Sequence, residues 1–182
     1  MLLNVGNPLR LKSAGFFLRL FLSLLAILPL TGCHSSKKAS GGKHKPKVET
    51  VNVKKLKGEE RRIVEEALTW RGTPYKYGAS EKGKGTDCSG LVLSVYEKVT
   101  KKKLPRNSAK QAEFCKKIKK HDVRPGDLCF FATGKDKNKI SHVGIMIDDD
   151  RFVHASTQKG VLISEISTPY YQRTFKMYGR VP

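Results

Sequence analysis

Two central segments of the chain place apolar residues at steps of three and four. In residues 59–71 and 89–100 these steps put the apolar side chains on one face of a helix, so we predict a helix in each segment. A third helix is predicted at about residues 108–120, and either Asn107 or Ser108 is its N-cap. The segment between the first two helices, residues 72–79, is predicted to be irregular.

After the turn at residues 124–127, the pattern changes to short apolar runs rich in Val, Ile and Phe, which indicate strands. Helices followed by consecutive strands indicate an α+β fold, with N-terminal helices packed on an antiparallel sheet of about five strands. The five predicted strands are Leu128–Ala132, His142–Ile147, Phe152–Ala155, Val161–Ile166 and Met177–Val181.

The N-terminus has a different pattern. Basic residues precede the apolar run Leu20–Leu28, which is too short to span a bilayer, and Leu-Thr-Gly-Cys follows at residues 30–33. This order predicts a signal peptide over residues 1–32. The L-T-G-C motif resembles the lipobox of bacterial lipoproteins, which implies cleavage before Cys33 and lipid attachment to Cys33. The alternative is an ordinary secretory signal with a chance cysteine.

Residues 33–55 are rich in Lys, Ser and Gly, which predicts a flexible basic tether between the lipid and the domain. Residues 48–53 within it could form a short edge strand. The globular domain is then predicted to span residues 56–182.

The chain of 182 residues carries a formal charge of +20, and removal of residues 1–32 leaves +17. Such a charge favours polyanions. An exported protein rarely meets nucleic acid, so we expect no nucleic-acid partner and instead expect contact with the membrane surface, anionic lipids or anionic wall polymers. A solvated basic surface that serves solubility alone is the alternative.

Two other cysteines, Cys115 and Cys129, fall in apolar patterns and are expected to be small buried residues. The sequence leaves open a disulfide between them. Because the chain has neither a C-x-x-C pair nor an H-E-x-x-H motif, we predict no metal site.

The remaining cysteine, Cys88, sits where the second helix begins. Free N–H groups and the helix dipole at such a position favour an anion, so the thiol is biased toward the nucleophilic thiolate. A nucleophilic cysteine also needs a base. His142 and His154 flank the acidic turn 148–150, and a strand register with an even sum of residue numbers would place both on one face. An odd register would separate them.

Six segments together resemble the NlpC/P60 domain, a papain-like cysteine peptidase of bacterial cell walls. They are GTPYKYG at 72–78, TDCSGLV at 86–92, LPRNSAKQ at 104–111, RPGDLCFF at 124–131, SHVGIMI at 141–147 and FVHAS at 152–156. The resemblance implies that Cys88 is the nucleophile, His142 the base and His154 the residue that orients His142.

The resemblance also implies roles for three residues near the nucleophile. Tyr75 would lie beside Cys88 and help form the oxyanion site, with Tyr77 as the alternative if the alignment shifts by two. Asp87 and Ser89 would line the groove and help to recognise the free amine of a peptide stem.

The function that this resemblance implies is hydrolysis of an amide bond in peptidoglycan stem peptides, typically between D-γ-glutamyl and a diamino acid. No cofactor is implied, and a monomer is expected. The protein would be lipid-anchored in the cell envelope, facing the periplasm or wall. If the cell is Gram-negative, the outer membrane is favoured, because the residue after Cys33 is His34 and not the aspartate associated with inner-membrane retention of lipoproteins. Two rival functions stay open: action of the same triad on another amide, thioester or ester, and non-catalytic wall binding.

Overall fold

A computed structural model describes residues 53–182, apart from the side chain of Lys54. The predicted signal peptide, Cys33 and nearly all of the predicted tether and its edge strand lie outside the described residues. The last residue of that predicted strand, Val53, instead begins a 3-10 turn, Val53–Lys55. None of the helices in the described part of the chain is long and apolar enough to span a membrane.

The first two predicted helices are present. Helix α1, Gly58–Leu68, buries Ile63, Val64 and Ala67, and Glu59 and Glu60 in its first turn favour its N-terminus electrostatically. Helix α2, Cys88–Thr100, begins one residue earlier than predicted, so Cys88 itself is its first residue.

The third predicted helix was too long. Helix α3, Ser108–Phe114, has Asn107 as its N-cap and ends before Cys115, whose backbone is extended. The following lysine-rich residues form a short strand, β3, Lys116–Ile118, and then a 3-10 turn, Lys120–Asp122. Consecutive like charges disfavour a continuing helix, whereas an edge strand exposes lysines to water and gains sheet hydrogen bonds.

The main sheet is antiparallel and has six strands, in the order β3-β8-β4-β5-β6-β7. All five predicted strands are present, and β3 is the sixth. The α+β prediction is therefore confirmed, with one more strand than expected. The five remaining strands of the sheet are β4 Leu128–Phe131, β5 His142–Met146, β6 Arg151–Ser156, β7 Gly160–Glu165 and β8 Phe175–Arg180.

Two small elements were not predicted. A two-stranded hairpin, β1 Ser80–Glu81 and β2 Gly85–Thr86, precedes helix α2. A short helix, α4, Pro169–Thr174, joins β7 to β8, and a proline at its first position marks its start.

Both faces of the sheet are covered, which explains why all four residues of β4 are buried. Helices α1 and α2 pack on one face over a large apolar cluster that includes Leu91, Phe130 and Ile145. A smaller cluster covers the other face and includes Cys129 and Phe152. Cys115 and Cys129 are both free and buried, in different clusters, so the disulfide left open by the sequence is not formed.

Candidate active site

Cys88 lies at the N-terminus of α2 because Asp87 caps that helix. The Asp87 carboxylate accepts hydrogen bonds from the backbone N–H of Gly90 at 2.7 Å and from that of Gly78 at 2.8 Å. Gly90 is required here, since a Cβ at this position would lie 2.3 Å from the carbonyl oxygen of Ala79. The loop before the helix is thus tied to the first turn that presents the thiol.

The same carboxylate binds Arg106 through two parallel contacts of 2.8 Å, Nη1 to Oδ1 and Nη2 to Oδ2. Ser89 donates to the carbonyl oxygen of Arg106 at 2.7 Å, and Arg106 Nη2 donates to that of Ala79 at 3.0 Å. Burial by itself would raise the pKa of Asp87, but the hydrogen bonds from Arg106, Gly90 and Gly78 outweigh burial and hold it below its usual value. Asp87 and Ser89 are each only 5% exposed, and these internal contacts occupy the polar atoms that the sequence assigned to a substrate amine.

Tyr75 is half-buried and forms a β-bridge with Thr86, two residues before the thiol. Burial raises the pKa of Tyr75, and the neighbouring Cys88 and Asp87 raise it further, which keeps the phenol protonated. Tyr77, the alternative, is 88% exposed. Of the two tyrosines, Tyr75 is therefore the partly buried one, and its phenol lies within electrostatic range of Cys88.

The two histidines share one face of the β5–β6 pair. Ile145 pairs with Val153 and Met146 with Phe152, an even register, and residues 148–150 form a three-residue turn. The turn is centred on Asp149, one residue later than the midpoint of the two histidines, so they are diagonal neighbours. His142 Nε2 lies 2.9 Å from His154 Nδ1, and the predicted contact is thus present.

The far side of His154 meets two hydroxyl groups that the sequence reading missed. His154 Nε2 lies 3.0 Å from Ser164 Oγ in β7 and 3.1 Å from the Tyr171 hydroxyl in α4. Strands β6 and β7 pair in an even register, with His154 opposite Leu162, so parity could have placed Ser164 on the face of His154. Tyr171 had no comparable signal, because helix α4 was not predicted.

The thiol lies against the start of β5. Burial raises the pKa of Cys88 to about 11, with a further increase from Asp87, and backbone N–H groups including that of Val143 oppose both. Val143 follows His142 directly, so the thiol lies at the end of β5 that carries the histidine. Burial therefore favours the neutral thiol in the resting site, against the thiolate bias expected from the helix terminus.

In the described part of the chain, no hydrogen bond joins the Cys88 thiol to the His142 ring. Such contacts are commonly long before substrate binds. Because His142 Nε2 faces His154, the nitrogen left to act as a base is Nδ1.

Burial also keeps both histidines neutral. Burial lowers the pKa of His142 to about 4. The pKa of His154 is lowered to about 2 by burial and by repulsion from a protonated His142 ring. The His154 side chain is 1% exposed and packs against Phe152, with ring centroids 4.9 Å apart. A neutral imidazole pair near a neutral thiol can exchange a proton without first breaking an ion pair.

A cavity of about 410 Å³ opens on the side of the histidines. Among the described residues that line it, the only charged side chain is Lys159. The rest of the lining is mostly hydroxyl, amide and tyrosine groups, including Thr133, Ser156, Gln158, Tyr170 and Tyr171. No group of three or more His, Cys, Asp or Glu residues within the described range is placed to hold a metal ion.

The fold and the site define a class: an α+β protein with a cysteine at a helix start and a buried histidine pair on adjacent strands, suited to acyl transfer. The chain matches the model of the NlpC/P60 family over residues 72–180, and it belongs to that family.

Relatives that are named for an endopeptidase activity agree with this family assignment. The chain is 41% identical over 113 residues to the probable endopeptidase NlpC of Escherichia coli, covering 62% of this chain and 72% of that protein. It is 37% identical over 147 residues to the murein DD-endopeptidase MepS/murein LD-carboxypeptidase of Escherichia coli, and the match covers 81% of this chain and 73% of that protein.

A solved structure agrees with the fold. An NLP/P60-family protein from Staphylococcus aureus, described as similar to lipoprotein, has a TM-score of 0.61 and 32% identity, covering 68% of this chain and 41% of that chain. This chain thus spans about two fifths of the length of that structure.

Proposed function

We propose that this protein is a peptidoglycan endopeptidase that hydrolyses an amide bond of the stem peptide with Cys88 as nucleophile. The observation that carries the proposal is the joint placement of three side chains. Cys88 begins α2 against the start of β5, His142 begins β5, and His154 lies 2.9 Å from His142 on β6. The names of the relatives support peptidoglycan as the substrate.

The reaction follows from the positions of these groups. The Cys88 sulfur attacks the amide carbonyl while His142 Nδ1 takes the thiol proton, which gives a tetrahedral oxyanion and an imidazolium. The hydroxyl of Tyr75 and the backbone N–H of Cys88 stabilise the oxyanion. His142 then donates its proton to the leaving amine as the C–N bond breaks, and a thioester remains. Water that loses a proton to His142 hydrolyses the thioester and regenerates the thiol.

The leaving fragment would lie on the histidine side, because His142 must reach the leaving nitrogen. The cavity of about 410 Å³ borders both histidines, so it is placed to receive that fragment. The acyl fragment would then lie along the Tyr75 side. Because the pKa values of Asp87 and Arg106 reflect their mutual pairing, we propose that Asp87 and Ser89 act in this groove by holding its wall together.

The bond itself is proposed as the one between D-γ-glutamyl and the diamino acid. A relative named as a DD-endopeptidase makes the D-alanyl cross-link the competing bond. A panel of defined muropeptides separates them: each is incubated with the protein or its Cys88→Ala variant, and the new amino termini are identified by mass spectrometry. Cleavage of only the D-alanyl bond would replace the proposed bond, and cleavage of neither would contradict the endopeptidase.

Two rivals remain distinguishable from this proposal. A triad acting on another ester or thioester would leave every muropeptide intact yet hydrolyse a small activated ester, with loss of that activity in Cys88→Ala. A non-catalytic binder would retain muropeptides without any turnover. The presence of Cys88, His142 and His154 together favours the enzyme, because a binder needs no such set.

We further propose that Cys33 carries lipid and anchors the protein in the cell envelope, with the domain facing the periplasm or wall and with the outer membrane favoured if the cell is Gram-negative. The basic tether behind it would strengthen attachment to anionic lipids or wall polymers. Incorporation of labelled palmitate, lost in Cys33→Ala, tests lipidation, and membrane fractionation tests the location. Release of an unlipidated protein would indicate an ordinary secretory signal.

A further inference from the structure

Both ring nitrogens of His154 make close polar contacts. Nδ1 faces His142 at 2.9 Å, while Nε2 lies between Ser164 Oγ at 3.0 Å and the Tyr171 hydroxyl at 3.1 Å. His154 is 1% exposed, so a proton on Nε2 has almost no access to water. The two hydroxyl groups come from different elements, strand β7 and helix α4.

A base role for His142 fixes where every proton in this chain of contacts must lie. If Nδ1 of His142 is to accept the thiol proton, the neutral ring must carry its own proton on Nε2. That N–H must be accepted by His154 Nδ1, so the neutral His154 ring carries its proton on Nε2. The Nε2–H of His154 then needs an acceptor, and Ser164 and Tyr171 supply the two oxygens within reach.

The opposite arrangement disables the base. With protons on Nδ1 of both rings, His142 could not accept a proton from Cys88. Leaving the Nε2–H of His154 buried without an acceptor would penalise the productive arrangement specifically. An oxygen acceptor at this point therefore favours the tautomer that catalysis requires.

The hydroxyl pair is itself held in place. The Tyr171 ring packs against Phe131 and Phe152, with centroid distances of 5.2 and 4.9 Å, and Ser164 lies in strand β7 of the sheet. Tyr171 also lines the cavity beside the histidines, where its hydroxyl can exchange hydrogen bonds with water. Tyr178 on strand β8 does not line this cavity, and its hydroxyl makes no hydrogen bond to His154 or Ser164 within the described residues.

We propose that Ser164 and Tyr171 are positioning residues that jointly accept the Nε2–H of His154 and so keep Nδ1 of His142 free to act as the base. The inference rests on the proposed role of His142, and it is independent of which acyl bond is cleaved. Because either oxygen can accept the proton, loss of one hydroxyl is compensated by the other. Loss of both leaves a buried donor unpaired.

The test compares Ser164→Ala, Tyr171→Phe and the double variant, with Tyr178→Phe as the matched control. The full chain is used in detergent micelles. The rate of Cys88 alkylation by iodoacetamide is followed by mass mapping of the Cys88 peptide, and the tautomers are read from the 15N shifts of labelled histidine. Neither readout requires a peptidoglycan substrate.

We expect each single variant to react within about threefold of the unmodified chain, and the double variant to be slower by about tenfold to a hundredfold, as for an unpaired buried donor. The histidine spectra of the double variant should show mixed tautomers, and Tyr178→Phe should change neither readout. A double variant with unchanged rate and tautomers would overturn the proposal. So would a single variant as slow as the double.

A further variant covers the case in which the double variant fails to fold. Ser164→Asp offers the Nε2–H a charged acceptor, which should raise the pH at which acid suppresses Cys88 alkylation. No change in that pH would overturn the proposal. A chain that shows the expected tautomers and rates but cleaves no muropeptide would contradict the proposed endopeptidase and leave this inference standing.

Discussion

At the scale of single residues, the reactive centre consists of ionisable groups that burial keeps neutral. The pKa of Cys88 is raised to about 11 and that of His142 is lowered to about 4, in both cases chiefly by burial. A neutral thiol and imidazole would keep the proton on sulfur until the proposed attack on an acyl group. Burial of neutral histidines lowers the free energy of unfolding in acid, where the unfolded chain can bind protons that the folded chain does not.

Replacement of His154 tests this acid dependence of the unfolding free energy. Its pKa falls from 6.5 to about 2 on folding, so below about pH 6.5 the unfolded chain binds a proton that the folded chain does not. Stability from this group is full above pH 6.5 and is lost as the pH falls. We expect His154→Gln to reduce the loss of unfolding free energy between about pH 7 and pH 4.5 by up to about 2–3 kcal/mol.

Urea unfolding at the two pH values measures this difference. Titration of Asp87 does not contribute to this difference, because the lowered pKa of Asp87 affects stability only near and below the ordinary pKa value of 3.8. Equal acid sensitivity of His154→Gln and the unmodified chain would contradict a buried neutral histidine.

Replacement of Arg106 tests the support of the helix start. Arg106→Ala leaves the Asp87 carboxylate, 5% exposed, with only hydrogen bonds from Ser89 and backbone N–H groups. Since the Arg106 side chain is 41% exposed, water screens part of the pair, and we expect a loss of about 1–3 kcal/mol in the free energy of unfolding. Arg106→Lys keeps the positive charge but loses the two parallel hydrogen bonds, so its free energy of unfolding should lie between those of Arg106→Ala and the unmodified chain. Urea midpoints equal to that of the unmodified chain would show that the ion pair is not needed.

At the scale of elements, the β5–β6 pair fixes the distance between the two histidines. The two strands approach closely at Gly144, where a Cβ would lie 2.5 Å from the Phe152 ring and 3.1 Å from the carbonyl oxygen of Val153. The absence of a side chain on one strand thus lets the other carry a large aromatic ring beside His154.

We predict that Gly144→Ala separates these strands and misplaces His154 relative to His142. The expected loss of stability is about 1–3 kcal/mol, as for overpacking, together with slower alkylation of Cys88. Gly134→Ala is the control, because its Cβ would lie at an ordinary 3.4 Å from Ser141 Oγ. Thermal unfolding and the alkylation rate measure the two effects, and a Gly144→Ala chain that matched the control in both would contradict this account.

The elements also show what the sequence could predict. Helices α1 and α2 and five strands follow from apolar periodicity, and the position of Cys88 follows from where that periodicity begins. The shared face of His142 and His154 follows from parity once the three-residue turn is known. These features depend on residues that are close together in the sequence, so the sequence alone is enough to predict them.

The parts that could not be predicted depend on distant contacts. The segment around Cys115 has a helical pattern, but helix α3 ends at Phe114 and the following residues, Lys116–Ile118, pair with β8. Likewise Tyr171 reaches His154 only because α4 folds back over β6 and β7. The pairing of Asp87 with Arg106 joins residues 19 positions apart, and no periodicity signals it.

At the scale of the whole molecule, excess positive charge is the dominant property. The formal charge is +20, and four lysines of the β3 region, Lys116, Lys117, Lys119 and Lys120, are exposed and make no ion pair among the described residues. Charge of this kind acts over a Debye length and favours any polyanionic surface. It would hold the domain near the wall without determining which bond is cleaved.

Salt should therefore weaken wall binding more than catalysis. We expect retention of the Cys88→Ala chain on purified peptidoglycan sacculi to fall between about 0.05 and 0.5 M NaCl as screening increases. Cleavage of a small soluble muropeptide by the unmodified chain should change much less over this range. Retention that is independent of salt would show that the charge serves solubility alone.

The most direct test of the central claim is digestion of purified peptidoglycan by the unmodified chain and by Cys88→Ala, with mass spectrometry of the soluble fragments. The account predicts new amino termini at the diamino acid with the unmodified chain and none with Cys88→Ala. Equal release by the two chains, or no release by either under conditions in which both bind the wall, would contradict the assignment of this protein as a cysteine endopeptidase.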